Sequence, residues 1–341
     1  MDRVAILGAG SWGTALTTLL PGVAEVRLWA HPGDLARAIQ SAGENRQYLP
    51  GIPIGANVRV TESLDDALSG AECVVFAVPS AAVEEVATAA APRLASAHLW
   101  VNAGKGLDPT SGRRLSEVIA GAAASSGGLA LDVARRRIAV LSGPNLAVEV
   151  ARGIPTASVA ASVDPQTAAA CQSLWLGPTF RVYTSSDVVG VELAGAMKNV
   201  VAIGAGICEG LGYGDNSRAA LMTRGLAEIT RLGETLGARA STFLGLAGVG
   251  DLIATAGSRL SRNFRVGIGL GQGKPLERVL AEIGQVAEGV PTTKVICRIA
   301  AEQGVEMPIC EALHGALFEG RSIPETIHAL MARPPRREAS G

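Results

Sequence analysis

The sequence predicts an α/β protein in two domains, a doubly wound parallel sheet followed by an all-helical domain. Three observations predict it. A glycine-rich turn, Gly8 to Gly13, directly follows the apolar run Val4–Leu7. Short apolar runs then alternate with helical stretches as far as Tyr183. From Asp187 the strand signal stops and apolar residues recur at helical spacing. A length of 341 residues suits two ordinary domains, and an apolar fraction of 48% supplies two cores.

The first element is the strand Val4–Leu7, and its sequel reads Gly8-Ala9-Gly10-Ser11-Trp12-Gly13. In Gly-x-Gly-x-x-Gly between a strand and a helix, Gly8 permits the tight turn and Gly10 lets a pyrophosphate approach the backbone. Gly13 lets helix and strand pack closely. The following helix, read to about Leu20, turns its free N–H groups and positive dipole end to the phosphates. This is the fingerprint of a Rossmann-type dinucleotide-binding domain; the alternative is a merely structural turn. The second strand, about Glu25 to Trp29, ends in Ala30-His31-Pro32. No acid stands there for a ribose 2′-hydroxyl and no arginine for a 2′-phosphate. His31 can hydrogen-bond an adenosine ribose or phosphate, or simply face solvent, so NAD and NADP both stay open.

Asn45 to Pro50 and the residues after it read as a loop and a short strand. Further strands are Glu72–Val78, Leu99–Ala103, Ile138–Leu141, Ala157–Ala161 and Phe180–Tyr183. Lys105 sits between Gly104 and Gly106 past the carboxyl end of a strand, where such sheets bind ligands; the alternative is a surface lysine. Ser142-Gly143-Pro144-Asn145 is a second polar turn at a strand's carboxyl edge. Gly121–Gly128 reads as a solvated loop, and Arg135–Arg137 after it as a basic surface.

Asp187 is a candidate N-cap. The stretch Gly190–Leu211 is apolar on nearly every face, which marks a buried helix, yet it carries Lys198 in its middle, followed by Asn199. A buried ammonium is costly unless it is paired or its pKa falls. Lys198 is therefore half of a buried ion pair or a working acid/base. Glu192, Lys198, Glu209 and the many glycines argue against a membrane span. A polar turn at 212–217 precedes a helix from Arg218 to about Leu236, and helices continue to about Leu330. Arg333 onward reads as a frayed tail. The expected domains are 1–185, 186–330 and a flexible tail at 331–341.

Composition excludes other classes. A formal net charge of −1 and 4% aromatic residues give no basis for nucleic acid or an anionic membrane. Five scattered cysteines, with no Cys-x-x-Cys, fit reduced thiols rather than a disulfide frame or zinc site, and no signal peptide opens the chain. A cytoplasmic enzyme is expected.

The motifs Gly8-Ala-Gly-Ser-Trp-Gly-Thr-Ala-Leu16, Ser142-Gly-Pro144, Gly195-Ala-Met-Lys198-Asn199, Gly248-Val-Gly-Asp251-Leu252 and Ser261-Arg262-Asn263 resemble those of the bacterial NAD(P)-dependent glycerol-3-phosphate dehydrogenases. They agree in order and approximate spacing, and the resemblance runs from residue 4 to about 325. Asn45 with Tyr48-Leu49-Pro50, Gly104-Lys105-Gly106, Thr223-Arg224-Gly225 and Ala287-Glu288-Gly289 also match. The resemblance implies that Lys198 is the catalytic lysine. It implies substrate contacts at Lys105, Gly143, Asn145, Asp251, Ser261, Arg262 and Asn263. It implies cofactor contacts, to NAD or NADP, at Ser11, Trp12, Lys105, Ala147, Arg262, Val286 and Glu288. Two positions depart from the family: His31-Pro32 replaces an arginine-bearing turn, and Asn145 stands where Ser or Thr is usual.

The chemistry fits those positions. Reducing dihydroxyacetone phosphate delivers hydride to a ketone carbon and leaves an alkoxide, which a nearby ammonium can protonate. Asp251 is a candidate partner for Lys198. Arg262 can grip the phosphate as a bidentate fork, and Asn263 can donate to it. The simpler readings are an ion pair for Lys198 with Asp251, a helix-start contact for Ser261 and Asn263, and a surface salt bridge for Arg262. For Arg224 a salt bridge explains as much as a ligand does. The expected reaction interconverts sn-glycerol 3-phosphate and dihydroxyacetone phosphate for phospholipid synthesis, in a homodimer. The alternatives are a related 3-hydroxyacid dehydrogenase with a carboxylate substrate, and a non-catalytic nucleotide-binding sensor.

Overall fold

A computed structural model describes residues 1–31, 33 and 35–335. The chain divides into two compact units. One comprises Met1–Gly104 and Arg113–Val188; the other comprises Lys105–Gly112 and the chain from Val189 onward.

The first unit is built on strands β1 (Arg3–Leu7), β2 (Glu25–Trp29), β3 (Val58–Thr61), β4 (Cys73–Phe76), β5 (Leu99–Asn102), β6 (Ile138–Ser142), β7 (Thr156–Ala161) and β8 (Phe180–Ser185). They form one sheet in the order β3-β2-β1-β4-β5-β6-β7-β8. The first six pair in parallel, β7 runs antiparallel to β6, and β8 is parallel to β7. The order 3-2-1-4-5-6 is that of a dinucleotide-binding sheet, and it reverses direction at β1, the strand that feeds the glycine turn. The inner strands β1, β4, β5 and β6 read as unbroken apolar runs because both faces are covered. Leu16, Ile39 and Trp175 pack with one face; Leu68, Ala87, Leu115 and Ile119 pack with the other.

One stretch of the first unit differs from its sequence reading. Gly121–Gly128 is not a solvated loop. A helix spans Leu115–Gly127, with Ala120 and Ala123 fully buried. Alanine is the strongest helix former, and its small side chain lets this helix lie close on the helix Val83–Leu94: a Cβ at Gly127 would fall 2.7 Å from the Ala91 carbonyl oxygen. Arg135 and Arg136 are exposed, as a basic surface requires; they close a short helix, Leu131–Arg136, and Arg135 pairs with Glu117 (2.8 Å).

The second unit is helical. Its centre is the helix Val188–Gly210, whose buried residues Met197, Val200, Val201 and Ile203 pack with Ile229, Phe243, Phe264, Ile296 and Leu313 from surrounding helices. The helix is long and apolar enough to cross a membrane, but 94% of its most apolar stretch is buried among these neighbours. It is a core helix. It meets the helix Arg262–Gly271 backbone to backbone. A Cβ at Gly206 would lie 2.1 Å from the Phe264 carbonyl oxygen, and one at Gly267 would lie 2.0 Å from that of Ile203. Glycine at the crossing sets the register of the two helices, and so the placement of Asn199 against Asn263. The helix after the polar turn begins at Asp215 rather than Arg218, with Gly214 at its N-cap and the Asp215 carboxylate at its positive end. Met331 closes the last helix, Ile323–Met331, and Arg333 pairs with Glu306. The rest of the expected tail, from Arg336, lies outside the described residues, as does Pro32.

Candidate active site

The glycine turn of the first unit has the geometry its sequence predicts. Gly8 sits at φ +120°, where a Cβ would meet the Ala77 carbonyl oxygen at 2.7 Å. Gly13 packs so closely that a Cβ there would lie 1.9 Å from the Gly8 carbonyl oxygen. Gly10 faces open space, with nothing within 4 Å of a Cβ. Two glycines close the turn and the middle one keeps its outer face free, the shape a pyrophosphate requires. Asn45 holds the turn from beneath: its buried amide donates to the Ala9 carbonyl and the Thr14 hydroxyl, both at 2.8 Å. Ser11 donates to the Tyr48 carbonyl (2.6 Å), which secures the start of the helix Ser11–Thr17. Trp12 and Ala147 pack around the same small cluster, Ala15, Leu49 and Ile52. His31 is exposed, edge-on to Trp29 at 5.9 Å.

At the carboxyl end of β6, Gly143 adopts φ +144° because β7 passes close by; a Cβ would lie 2.9 Å from Ser158 Cα. Asn145 is buried, and its amide donates to the Ser158 hydroxyl (3.4 Å). The Ser142 hydroxyl is buried and has no hydrogen-bond partner among the described residues.

The second unit assembles the charged residues. Asp251 opens the helix Asp251–Ala256, directly after a wide turn in which Gly250 N–H donates to the Gly245 carbonyl (3.1 Å). Such i→i+5 turns recur at functional sites. The Asp251 carboxylate, 2% exposed, is shared by two lysines. Lys105 Nζ lies 2.7 Å from Oδ2, and Lys198 Nζ lies 2.9 Å from Oδ1. Lys198 Nζ also donates to Thr255 Oγ1 (2.5 Å), whose hydroxyl donates on to Asp251 Oδ1 (3.1 Å). Thr255 stands four residues after Asp251, so both side chains leave one face of the same helix turn. Thr255 is absent from the residues singled out in the sequence; its i, i+4 spacing from Asp251 is the one signal that could have marked it.

Electrostatics at this cluster are strongly perturbed. Burial pushes the Lys198 ammonium down to about 8. The Asp251 charge works against that shift, and the charges of Lys105 and Arg262 add to it. Burial acts to raise the Asp251 carboxyl, but the two lysines outweigh it and hold it below the usual carboxylate range. Lys198 thus keeps a proton that it can release near neutral pH.

Arg262 is half-buried and makes no hydrogen bond or ion pair among the described residues; burial lowers its pKa, opposed by the charge of Glu288. It is not in a surface salt bridge. Ser261 is the N-cap of the helix Arg262–Gly271, its hydroxyl accepting from Phe264 N–H (3.2 Å). Asn263 is buried, with its carboxamide joined to Asn199 and to Gly289 N–H. Glu288 stands at the N-cap of the helix Gly289–Gln303, and Val286 is exposed two residues earlier. Arg224 is exposed and forms no ion pair among the described residues, so the salt bridge weighed from the sequence is not made.

Residues 3–168 match the family model of the NAD-dependent glycerol-3-phosphate dehydrogenase N-terminus, and residues 187–328 match that of its C-terminus. A glycerol-3-phosphate dehydrogenase [NAD(P)+] of Moorella thermoacetica is 46% identical over 99% of this chain and 98% of its own length. That of Bacillus subtilis is 45% identical over 99% and 96%. The solved structure of the Coxiella burnetii glycerol-3-phosphate dehydrogenase superposes with a TM-score of 0.90 at 38% identity, covering 97% of this chain and 99% of that one. With both family models matched and relatives about 45% identical over nearly the whole length, the chain belongs to the NAD-dependent glycerol-3-phosphate dehydrogenase family.

Proposed function

We propose that Lys198 is the proton donor and acceptor of this chain's reaction, the NAD(P)-dependent interconversion of sn-glycerol 3-phosphate and dihydroxyacetone phosphate. The observation that carries the proposal is one ammonium, 6% exposed, held between Asp251 and Thr255 and titrating at about 8. A nicotinamide cofactor, for which the Gly8–Gly13 turn has the shape, supplies the hydride when bound.

In the reducing direction negative charge develops on the ketone oxygen. Lys198 gives that oxygen a proton and is left as the neutral amine; in the oxidising direction the amine takes the alcohol proton. Thr255 and Asp251 fix the Nζ position, so the proton is delivered along one line. Lys105 brings a second ammonium to the same carboxylate and offsets charge on the substrate oxygen. Arg262, which makes no hydrogen bond or ion pair among the described residues, presents its fork to the substrate phosphate. The contacts assigned to Gly143, Asn145, Ser261 and Asn263 for substrate, and to Ser11, Trp12, His31, Ala147, Val286 and Glu288 for cofactor, belong to the same proposal.

We also propose a cytoplasmic homodimer that serves phospholipid synthesis. Exposed Tyr213, Leu244, Ile253 and Leu260 on the second unit supply apolar surface for a second copy. Sedimentation at micromolar concentration giving the mass of one chain would sink the dimer. The proton role is tested with Lys198→Ala, followed by nicotinamide absorbance with dihydroxyacetone phosphate and both cofactors. The variant should lose at least ~100-fold in kcat, the low end of general acid catalysis, while still binding cofactor. Retained activity would move the role elsewhere, with Lys105 first.

A further inference from the structure

We propose that Glu62 supplies the carboxylate missing from the end of β2 and sets the cofactor preference of this chain to NAD over NADP. This rests on the reading of the Gly8–Gly13 turn as the cofactor's seat, and it is independent of the role of Lys198.

In a doubly wound sheet of this order the dinucleotide lies across the glycine turn after β1, and its adenosine ribose reaches the carboxyl end of β2. An acid there accepts the ribose 2′-hydroxyl and repels a 2′-phosphate. β2 ends in Trp29, followed by Ala30 and His31, and brings no acid. The neighbouring strand does. β3 pairs in parallel with β2, with Trp29 opposite Thr61. Ala30 N–H donates to the Thr61 carbonyl (2.9 Å), and the Trp29 indole N–H donates to the Glu62 carbonyl (3.0 Å). Glu62 therefore stands level with Ala30 on the adjacent strand. Neighbouring strands run about 4.8 Å apart, a gap that a glutamate side chain spans.

Glu62 is fixed in its backbone and open in its side chain. The Trp29 indole holds its carbonyl on one side. On the other, Ser63 is the N-cap of the helix Leu64–Leu68, its hydroxyl accepting from Asp66 N–H (3.1 Å). The Glu62 side chain is 35% exposed. Its Oε1 is covered and accepts no hydrogen bond among the described residues. Arg37, on the helix Leu35–Ala42, brings Nε to 3.9 Å from that oxygen, beyond hydrogen-bond reach. A carboxylate held in place without a donor is a costly arrangement. A ribose hydroxyl meeting Oε2 supplies the donor.

Arg37 pulls the other way, since a guanidinium can grip a 2′-phosphate. Its side chain is 79% exposed, however. It must give up rotamer freedom to hold a ligand, and solvent screens its charge more than that of Glu62. A 2′-phosphate placed here gains a mobile cation and meets a fixed anion. A 2′-hydroxyl meets an acceptor already in position. The repulsive element is what discriminates between the two cofactors.

The test is cofactor affinity, read from nicotinamide fluorescence as the full chain is titrated with NADH and with NADPH. Wild type should bind NADH at least about tenfold more tightly, the worth of a charged hydrogen bond. Glu62→Gln keeps the shape, removes the charge and adds a donor. It should lower the preference at least about tenfold, mainly by tightening NADPH. Arg37→Ala should leave the preference for NADH in place or enlarge it. A wild type that prefers NADPH, with the preference lost in Arg37→Ala, would make Arg37 the phosphate ligand and overturn the proposal. A preference unmoved in Glu62→Gln would overturn it as well. If Glu62→Gln does not fold, as judged by circular dichroism, Glu62→Ser carries the same comparison. Failure of the underlying reading looks different: a wild type that binds neither cofactor removes the glycine-turn site and the proposal together, whereas tight binding indifferent to the 2′-phosphate removes the role of Glu62 alone.

Discussion

Replacing Asp251 with asparagine removes the one carboxylate that two lysines share, at 2.7 and 2.9 Å. In the native site burial lowers the Lys198 pKa to about 8 even though Asp251 opposes the shift. Without that charge Lys198 keeps the burial and the neighbouring positive charges and loses the anion that opposes them. Breaking a buried ion pair costs at least about 3 kcal/mol, and at 1.36 kcal/mol per pKa unit this is a fall of about 2 units, to near 6. At about pH 7.5 the protonated share of Lys198 then drops from about three quarters to about 3%. Reduction of dihydroxyacetone phosphate, which needs the ammonium, should slow about 25-fold at that pH. Oxidation of glycerol 3-phosphate, which needs the amine, should escape this loss. The assay is kcat in both directions from about pH 5.5 to about pH 9.5, followed by nicotinamide absorbance with enzyme checked for folding. In wild type the reducing limb should fall above about pH 8 and the oxidising limb below it. A limb unmoved in Asp251→Asn, or equal losses in both directions at every pH, would refute the argument that Asp251 sets the Lys198 proton affinity.

Arg262→Ala should raise KM for dihydroxyacetone phosphate about 10- to 100-fold, the worth of a charged hydrogen bond. Dihydroxyacetone turnover should be spared, and Arg262→Lys should not restore the loss, because a point charge does not reproduce the fork. Gly13→Ala should abolish measurable cofactor binding in a titration of cofactor fluorescence, because its Cβ would fall 1.9 Å from the Gly8 carbonyl oxygen and open the turn; near-native affinity would contradict that geometry. Glu228 is buried and accepts the N–H groups of Ile309 and Cys310 at the start of the helix Pro308–Phe318. Burial raises its pKa from 4.5 to about 7. The folded state therefore binds the proton more tightly than the unfolded chain, so this contribution is full below about pH 4.5 and is lost as pH rises through about 7. The shift is worth about 3 kcal/mol. Glu228→Gln should flatten the decline in denaturation midpoint between about pH 5 and about pH 8, and an unchanged slope would assign that decline to other groups.

Local signals were readable wherever the chemistry is local. The Gly8–Gly13 turn, the apolar strands before it and after it, and the apolar Val188–Gly210 helix each follow from residues within one element. What escaped depends on distant partners. Gly121–Gly128 reads as a loop by composition, and only the backbone of Val83–Leu94 passing beneath makes small residues the right ones for a helix there. Nothing local marks β7 as the strand that runs antiparallel. Lys105 follows β5 in sequence, yet its eight-residue segment is compact with the helical unit, because its ammonium is drawn to a carboxylate 146 residues later. Asn263 reads as a polar neighbour of an arginine; its engagement with Asn199 and Gly289 depends on a helix crossing set by glycines far apart in the chain.

The charge arrangement itself argues for the substrate. Lys105 and Lys198 bring two positive charges to one carboxylate, and Arg262 is close enough to lower the Lys198 proton affinity further. Asp251 can compensate only one of the lysines. Two ammoniums around one carboxylate leave this trio net positive, and buried charge is costly to a fold selected for stability alone. Retaining the surplus makes sense where an anion completes the balance. A phosphate ester does so, and its dianion answers both the Arg262 guanidinium and the net positive charge of the two lysines with Asp251. On this argument the lowered pKa of Lys198 belongs to the free enzyme. Bound phosphate substrate should raise it, so the reducing limb should lie at higher pH in kcat than in kcat/KM. Coincident limbs would mean that the bound phosphate is too distant or too screened to act on Lys198.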